Sequence, residues 1–205
     1  MKVAVVGGTG SFGRAVARRL IDAGFEVVIG SRDAERAREA ASKLGAEGRA
    51  NADAVRGADL VLLAVKAEAA VGTATELREA IGGTPVLSVA AELRFGPGGV
   101  KPTEEPTSVA QRIQDVLDGP VVAGLHSLAA ASLSDQPADE DALVCGDDAS
   151  AKTLALELAS RLVTGRAVDA GPLASARALE GMTAVIVNVN KRYKAHAGLR
   201  VTGLH

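Results

Sequence analysis

Three glycines near the start of the chain, Gly8, Gly10 and Gly13 in VVGGTGSFGRAV (5–16), have the spacing G-x-G-x-x-G. Their flanks give the spacing meaning. KVAVVG (2–7) is a short β-branched run that predicts a buried strand, and residues 11–23 bring Phe12, Val16, Leu20 and Ile21 onto one helical face. Strand, glycine loop and helix in that order cradle a dinucleotide pyrophosphate. Gly8 would allow the tight turn, Gly10 the close approach of the phosphates, and Gly13 the packing of helix on strand. Thr9, Ser11 and Phe12 complete the loop, and the free N–H groups at the helix start face the anion. The end of the second strand, residues 25–30, then decides between the two dinucleotides. A site for an unphosphorylated ribose places Asp or Glu there, whereas this chain has GSRDAER (30–36). The hydroxyl of Ser31 and the guanidinium groups of Arg32 and Arg36 suit a 2′-phosphate, because Arg holds phosphate oxygens in a planar fork. NADP(H) is the expected ligand, with Asp33 placed to cap the following helix.

Other chemistries lack their residues. A short-chain dehydrogenase needs Tyr-x-x-x-Lys, but the only tyrosine is Tyr193 and Ala197 stands four residues on. His126, His196 and His205 have no metal-ligand spacing, and no G-x-S-x-G elbow is present. The single Cys145 excludes an internal disulfide and is expected as core packing. The adjacent Asp147 and Asp148 are expected to face solvent. His126 follows PVVAGL (120–125), at a strand end that opens on the ligand crevice. It suits either orientation of a bound ring or a packed hydrogen bond to backbone. Lys66 ends DLVLLAV (59–65) at the same edge, where it would touch a ligand or reach solvent.

The elements that must hold these residues alternate. Strands are expected at 2–7, 25–30, 59–65 and 85–89, with helices at 11–23, 33–44 and 67–80. That order predicts an α/β fold, a Rossmann-type doubly wound parallel sheet. Residues 92–107, dense in Gly and Pro, are expected as a long loop. A helix over 108–117 and the strand 120–125 follow. The last third predicts a strand at 142–146, a helix at 149–162, a strand at 167–170 and a helix from 174. A boundary near His126 would separate an NADP-binding domain, 1–126, from a small C-terminal α/β domain, 127–205. With 205 residues, 47% hydrophobic and 23% charged, the chain suits one domain or one with a small appendage. A net charge of −2 speaks against nucleic acid. No apolar run approaches the ~18 residues of a membrane span, so a cytoplasmic, membrane-free protein is expected.

Four stretches together resemble the NADPH-dependent reductases of the deazaflavin coenzyme F420 (F420:NADP oxidoreductases). They are VGGTGSFG (6–13) with GSR after the second strand, VVAGLHSLAA (121–130), VCGDD (144–148) and VDAGPLASARALEGMT (168–183). The resemblance implies hydride transfer between NADP(H) and coenzyme F420 as co-substrate, with the protein supplying proximity and orientation rather than an acid–base pair. It implies that Thr9, Ser31, Arg32 and Arg36 contact the 2′-phosphate, that His126, Ser127, Leu128, Ala129 and Pro172 approach the second ring, and that the protein is a homodimer. Val65, Lys66, Ala67, Val89 and Ala90 fall beside the dinucleotide by the crevice rule. The chain departs from the family at Val65-Lys66-Ala67 and in LHSLAAAS (125–132), where prolines are common. These departures leave open another acceptor (an imine, a ketone or a ferric complex) or an NADPH-sensing role. Lys191, Arg192, Lys194 and Arg200 suit either the anionic tail of the deazaflavin coenzyme or a solvated helix end. His205 is assigned no role.

Overall fold

The alternation in the sequence becomes one eight-stranded sheet between two layers of helices. The computed structural model describes residues 1–204; His205 lies outside them. In chain order the elements are β1 (Lys2–Val6), α1 (Ser11–Asp22), β2 (Glu26–Ser31), α2 (Ala34–Ser42), β3 (Glu47–Ala50), α3 (Asn51–Val55), β4 (Leu60–Leu63), α4 (Ala67–Ile81), β5 (Val86–Ser88), β6 (Leu93–Gly96), β7 (Gly99–Pro102), α5 (Val109–Gln114), β8 (Val121–Gly124), β9 (Ala142–Gly146), α6 (Ala149–Ser160), β10 (Ala167–Asp169) and α7 (Ala176–Tyr193).

The sheet order is β10-β9-β8-β5-β4-β1-β2-β3. All pairs are parallel except β8 with β9. The chain leaves β1 toward β2 on one side and later fills β4 on the other. The crevice beyond the carboxyl ends of β1 and β4 is therefore the topological switch point, where ligands of such sheets bind. Alternate residues of each central strand supply the two faces. Val3, Val5, Leu60 and Leu62 pack with Val16 and Leu20 of α1 and Leu158 of α6. Ala4, Val6, Val61 and Leu63 pack with Ala70 and Leu77 of α4, Ile113 of α5 and Leu179 of α7. Full burial of Leu20, Leu60, Leu62 and Leu87 contributes roughly 2 kcal/mol each.

Two parts of the expected pattern change. β3 and α3 were not expected, because EGRANADAV (47–55) has no apolar period; as the sheet edge, β3 needs only one covered face. Residues 92–107 are not a plain loop. Their Gly/Pro-rich centre is the turn of the antiparallel pair β6–β7, with Gly99 at φ +100°. Asn188 of α7 holds this hairpin by two hydrogen bonds to one residue: its Oδ1 accepts from Val100 N at 2.8 Å and its Nδ2 donates to Val100 O at 2.7 Å. The segment 127–205 adds β9 and β10 to the same sheet, with the proposed boundary falling at the β8–β9 turn-back.

Glu180 joins α7 to the sheet's helical layer from within. Its buried carboxylate accepts from Val109 N at 3.0 Å and Ala110 N at 3.1 Å, the first turn of α5, while Ser108 and Gln111 complete a capping box. Burial pushes the Glu180 pKa up, and the two backbone donors oppose that rise. Replacing Glu180 by Ala leaves two buried N–H groups without acceptors. We expect Glu180→Ala to lower unfolding stability by about 2–4 kcal/mol in a urea titration; an unchanged midpoint would show that the clamp carries no load.

Candidate functional site

The glycine turn is built by steric exclusion. Gly7, directly after β1, has φ +84°, and a Cβ there would lie 2.5 Å from Ala64 O beyond β4. The positive-φ residue of the turn is therefore Gly7 and not Gly8. Gly8 is needed for contact: its Cβ would stand 2.9 Å from both Ile29 Cγ2 and Val5 O. Gly13 has the expected role, since a Cβ would meet Gly7 O at 2.6 Å and prevent α1 from closing on the strand. Gly10 precedes α1, and a Cβ there would meet only Gly7 O, at 3.3 Å, so its outer side is open. α1 begins at Ser11 with no side-chain cap and no acidic residue in its first turn. A helix start of this kind offers unpaired N–H groups and positive potential to an anion.

From this turn a cleft of about 500 Å³ runs across the strand ends. It brings together Thr9, Gly10, Ser31, Arg32, Arg36, Val65 and Lys66, all expected from the sequence, with Asn51, Ala69 and Thr73, which were not. Arg32 and Arg36 are exposed and make no ion pair among the described residues. Their neighbours differ: Arg38 pairs with Glu35, Arg49 with Glu47 and Arg56 with Asp53. Asp33, the one carboxylate in the cleft wall, is occupied as the α2 cap. Its Oδ1 accepts from Glu35 N at 2.9 Å and Arg36 N at 3.3 Å. No free acid therefore stands in the cleft wall, and the two guanidinium groups that line it are unneutralised among the described residues. The donor set and the open backbone fit NADP(H).

The expected second half lies at the ends of β5 and β8, and none of its residues lines this cleft. Leu125 takes φ +66°, a strained value for a branched residue, and turns the chain so that His126 is buried. His126 Nε2 donates to Ala90 O at 3.3 Å. A carbonyl only accepts, so Nε2 carries the proton, and Nδ1 is left buried without a partner. Burial lowers the His126 pKa to about 4, so the ring is neutral near pH 7 and cannot serve there as an acid. Thr183 Oγ1 donates to His126 O at 2.9 Å, tying the turn to α7. Ser127 and Leu128 are also buried, Val89 and Ala129 are half-buried, and Pro172 is exposed at the entry to α7.

Other expected residues are placed differently. Lys66 lines the cleft at the capping position of α4, its side chain 85% exposed and 3.9 Å from Glu68; Ala67 starts the helix itself. The basic segment 190–200 is divided. Arg200 pairs with Asp139 and Asp141, and Lys191 lies 5.5 Å over the Phe95 ring. Asp147 and Asp148 are exposed, as expected, and each also accepts from backbone: Asp147 Oδ1 from Leu173 N at 2.9 Å, and Asp148 Oδ1 from Ala151 N at 2.7 Å as the α6 cap. Cys145 is buried, its thiol pushed up to about 11 by desolvation, as befits packing rather than reaction. No cluster of three metal-ligating side chains occurs among the described residues, and no helix there is long and apolar enough to cross a membrane. Asn51 and Thr73 escaped the sequence reading because one sits in a polar stretch without period and the other is a single hydroxyl in a helix.

Comparison with known proteins adds to this geometry. Residues 2–92 match the family model described as NADP oxidoreductase, coenzyme F420-dependent. The F420-dependent NADP reductase of Methanocaldococcus jannaschii is 36% identical, over 100% of this chain and 99% of that protein. The F420-dependent NADP reductase of Methanothermobacter marburgensis is also 36% identical, with 100% and 99% covered. A solved chain from Arthrobacter sp. FB24 superimposes with a TM-score of 0.84 at 28% identity, covering all of both chains.

The buried His126 makes stability depend on pH. Its folded pKa, about 4, lies below the ordinary imidazole value of 6.5, so unfolding takes up a proton between these values. Its contribution is complete above pH 6.5 and is lost as pH falls toward 4, at up to about 1.4 kcal/mol per pH unit. Glu140 and Glu180, both raised by burial, change stability in the opposite sense, so the difference between two proteins is the useful quantity. The stability gap between wild type and His126→Gln should shrink from pH 7 to pH 4.5 in parallel denaturant titrations. A gap independent of pH would show that His126 is not buried neutral.

Proposed function

The chain belongs to the F420-dependent NADP reductase family, and on that premise we propose that it is an oxidoreductase passing hydride between NADP(H) and coenzyme F420. The observation that carries the reading is the cleft at the switch point. Its glycine turn leads to Ser31, Arg32 and Arg36, its two guanidinium groups are unneutralised, and its one acid is held as a helix cap. Bound together, the two rings supply the chemistry, a direct hydride transfer between nicotinamide C4 and deazaflavin C5.

The protein's task is position. The uncapped start of α1 would bind the pyrophosphate, and Thr9, Ser31, Arg32 and Arg36 the 2′-phosphate. That anchors one end of the dinucleotide and directs the other toward Val65–Ala67 and Val89–Ala90. We place the second ring beyond the β5 and β8 ends, beside His126–Ala129 and Pro172, with segment 127–205 completing that side of the cleft. His126 would act there by fixing the Ala90 carbonyl, not by moving a proton. Orientation of this kind is worth many powers of ten in rate, which is why such a site works without an acid–base pair. A cytoplasmic setting fits the buried, unpaired Cys145. We also propose a homodimer. Phe95, Val185 and Tyr193, respectively 70%, 59% and 74% exposed, supply apolar surface on the hairpin and α7 for a second copy to cover. Light scattering should report twice the chain mass, and a monomer at micromolar concentration would remove that part of the reading.

The activity is tested by mixing protein, NADPH and oxidised F420. The deazaflavin absorbance should fall, and a folded protein that leaves it unchanged would sink the reading. Arg32→Ala should lower kcat/KM for NADPH by about 10- to 100-fold while altering that for NADH by less than about threefold. Equal losses for both would mean that Arg32 does not meet the 2′-phosphate.

A further inference from the structure

Asn51 is a polar group that the fold buries and does not use. It is 9% exposed, and its Oδ1 is sealed from solvent with no hydrogen-bond partner. Among the described residues its side chain makes no hydrogen bond at all, although an amide carries two donors and an acceptor. Buried polar groups in folded chains are otherwise paired, and a desolvated amide left unpaired is a standing cost. The Asn51 side chain pairs with nothing among the described residues, yet it forms part of the cleft wall with Ser31, Arg32 and Arg36.

Its position is fixed by the sheet. β3 runs parallel to β2 with Ala50 opposite Ser31, so Asn51 stands one residue beyond the strand end, level with Arg32. One side of its amide rests on bare backbone: a Cβ on Gly30 would lie 2.9 Å from Asn51 Oδ1. The strand residue before Ser31 must therefore be glycine for the amide to lie in this place. With Oδ1 turned onto Gly30, the end of the amide left for the cleft is Nδ2, a neutral N–H donor.

We infer that Asn51 is a specificity residue for the phosphorylated adenosine ribose, donating from Nδ2 to the 2′-phosphate beside Arg32. The inference rests on the proposed NADP(H) function. It goes beyond the glycine turn and the Ser31–Arg36 set, neither of which includes Asn51. A carboxylate in this place would accept from an unphosphorylated ribose and repel a phosphate; the amide reverses both preferences while keeping the same shape.

The test is calorimetric binding of two probes that differ only in that phosphate, adenosine 2′,5′-bisphosphate and adenosine 5′-monophosphate. Wild type should prefer the bisphosphate. Asn51→Asp, which is isosteric and so keeps the packing on Gly30, should weaken bisphosphate binding by about 10-fold or more, because a donor to an anion becomes a like charge. Asn51→Ala should weaken it by about 3- to 10-fold and change monophosphate binding by no more than about twofold, whereas Asn51→Asp should hold or strengthen monophosphate binding. If both variants bind both probes as wild type does, the inference is overturned and the NADP(H) reading stands. If both probes weaken equally, Asn51 is a structural wall and the inference is again overturned. If wild type itself does not prefer the bisphosphate, this inference and the NADP(H) reading fall together.

Discussion

The site depends on a turn with no room for a side chain. Between β1 and α1 the backbone folds so closely that Cβ atoms at Gly7 and Gly13 would come within 2.5 Å and 2.6 Å of carbonyl oxygens. That contact sets the angle at which α1 leaves the sheet, and with it the direction of the uncapped N–H groups. It also holds the β1 end against Ala64, closing the gap between β1 and β4 at the point where the sheet changes direction. A ligand bound there meets main chain, whose geometry is set by the core beneath: Val3, Val5, Leu60 and Leu62 on one face and Ala4, Val6, Val61 and Leu63 on the other.

Charge around that turn is distributed unevenly. Arg38 of α2, Arg49 of β3 and Arg56 just after α3 each have a carboxylate partner, and exposed pairs of this kind contribute little to stability. Their effect here is negative: neutralised arginines do not compete for an anion. Arg32 and Arg36, without such partners, are the groups left to attract one. Asp33 could have spoiled this arrangement, and its use as the α2 cap removes it. A single aspartate thus serves local structure and site electrostatics at once.

The strands of the parallel sheet were legible because they are buried on both faces and read as unbroken apolar runs. The set we propose for the 2′-phosphate could be named from the sequence because Ser31, Arg32 and Arg36 fall at a fixed distance from a recognisable glycine turn. What escaped has physical reasons. β3 is an edge strand of polar residues, so it carries no apolar period. The hairpin β6–β7 is stabilised by a side chain 88 residues away in sequence, Asn188, which no local pattern reveals. Spacing alone could not separate Gly7 from Gly8, since the turn needs one for its φ and the other for contact. Asn51 is visible only through burial and a missing partner, and neither has a signature in sequence. The acidic pair Asp147-Asp148 is exposed, as its sequence suggests, but its bonds to Leu173 N and Ala151 N were not legible, because backbone N–H donors carry no side-chain signature.

The last helix explains why the distinctive part of the sequence lies so far from the glycine turn. α7 presents Glu180, Thr183 and Asn188 at spacings that keep them on one side of a helix with 3.6 residues per turn. Each makes a polar contact with a different element: Glu180 holds the start of α5, Thr183 the carbonyl of His126, and Asn188 the hairpin at Val100. Those three elements are the surroundings of the ends of β5 and β8. A generic dinucleotide sheet has no need of this arrangement, because a glycine turn alone can hold the dinucleotide. A second ring must be held against the first at a fixed distance, and small displacements cost rate steeply. One helix that fixes the hairpin, the His126 turn and α5 together would give the side proposed for the second ring the rigidity that the glycine turn gives the dinucleotide side.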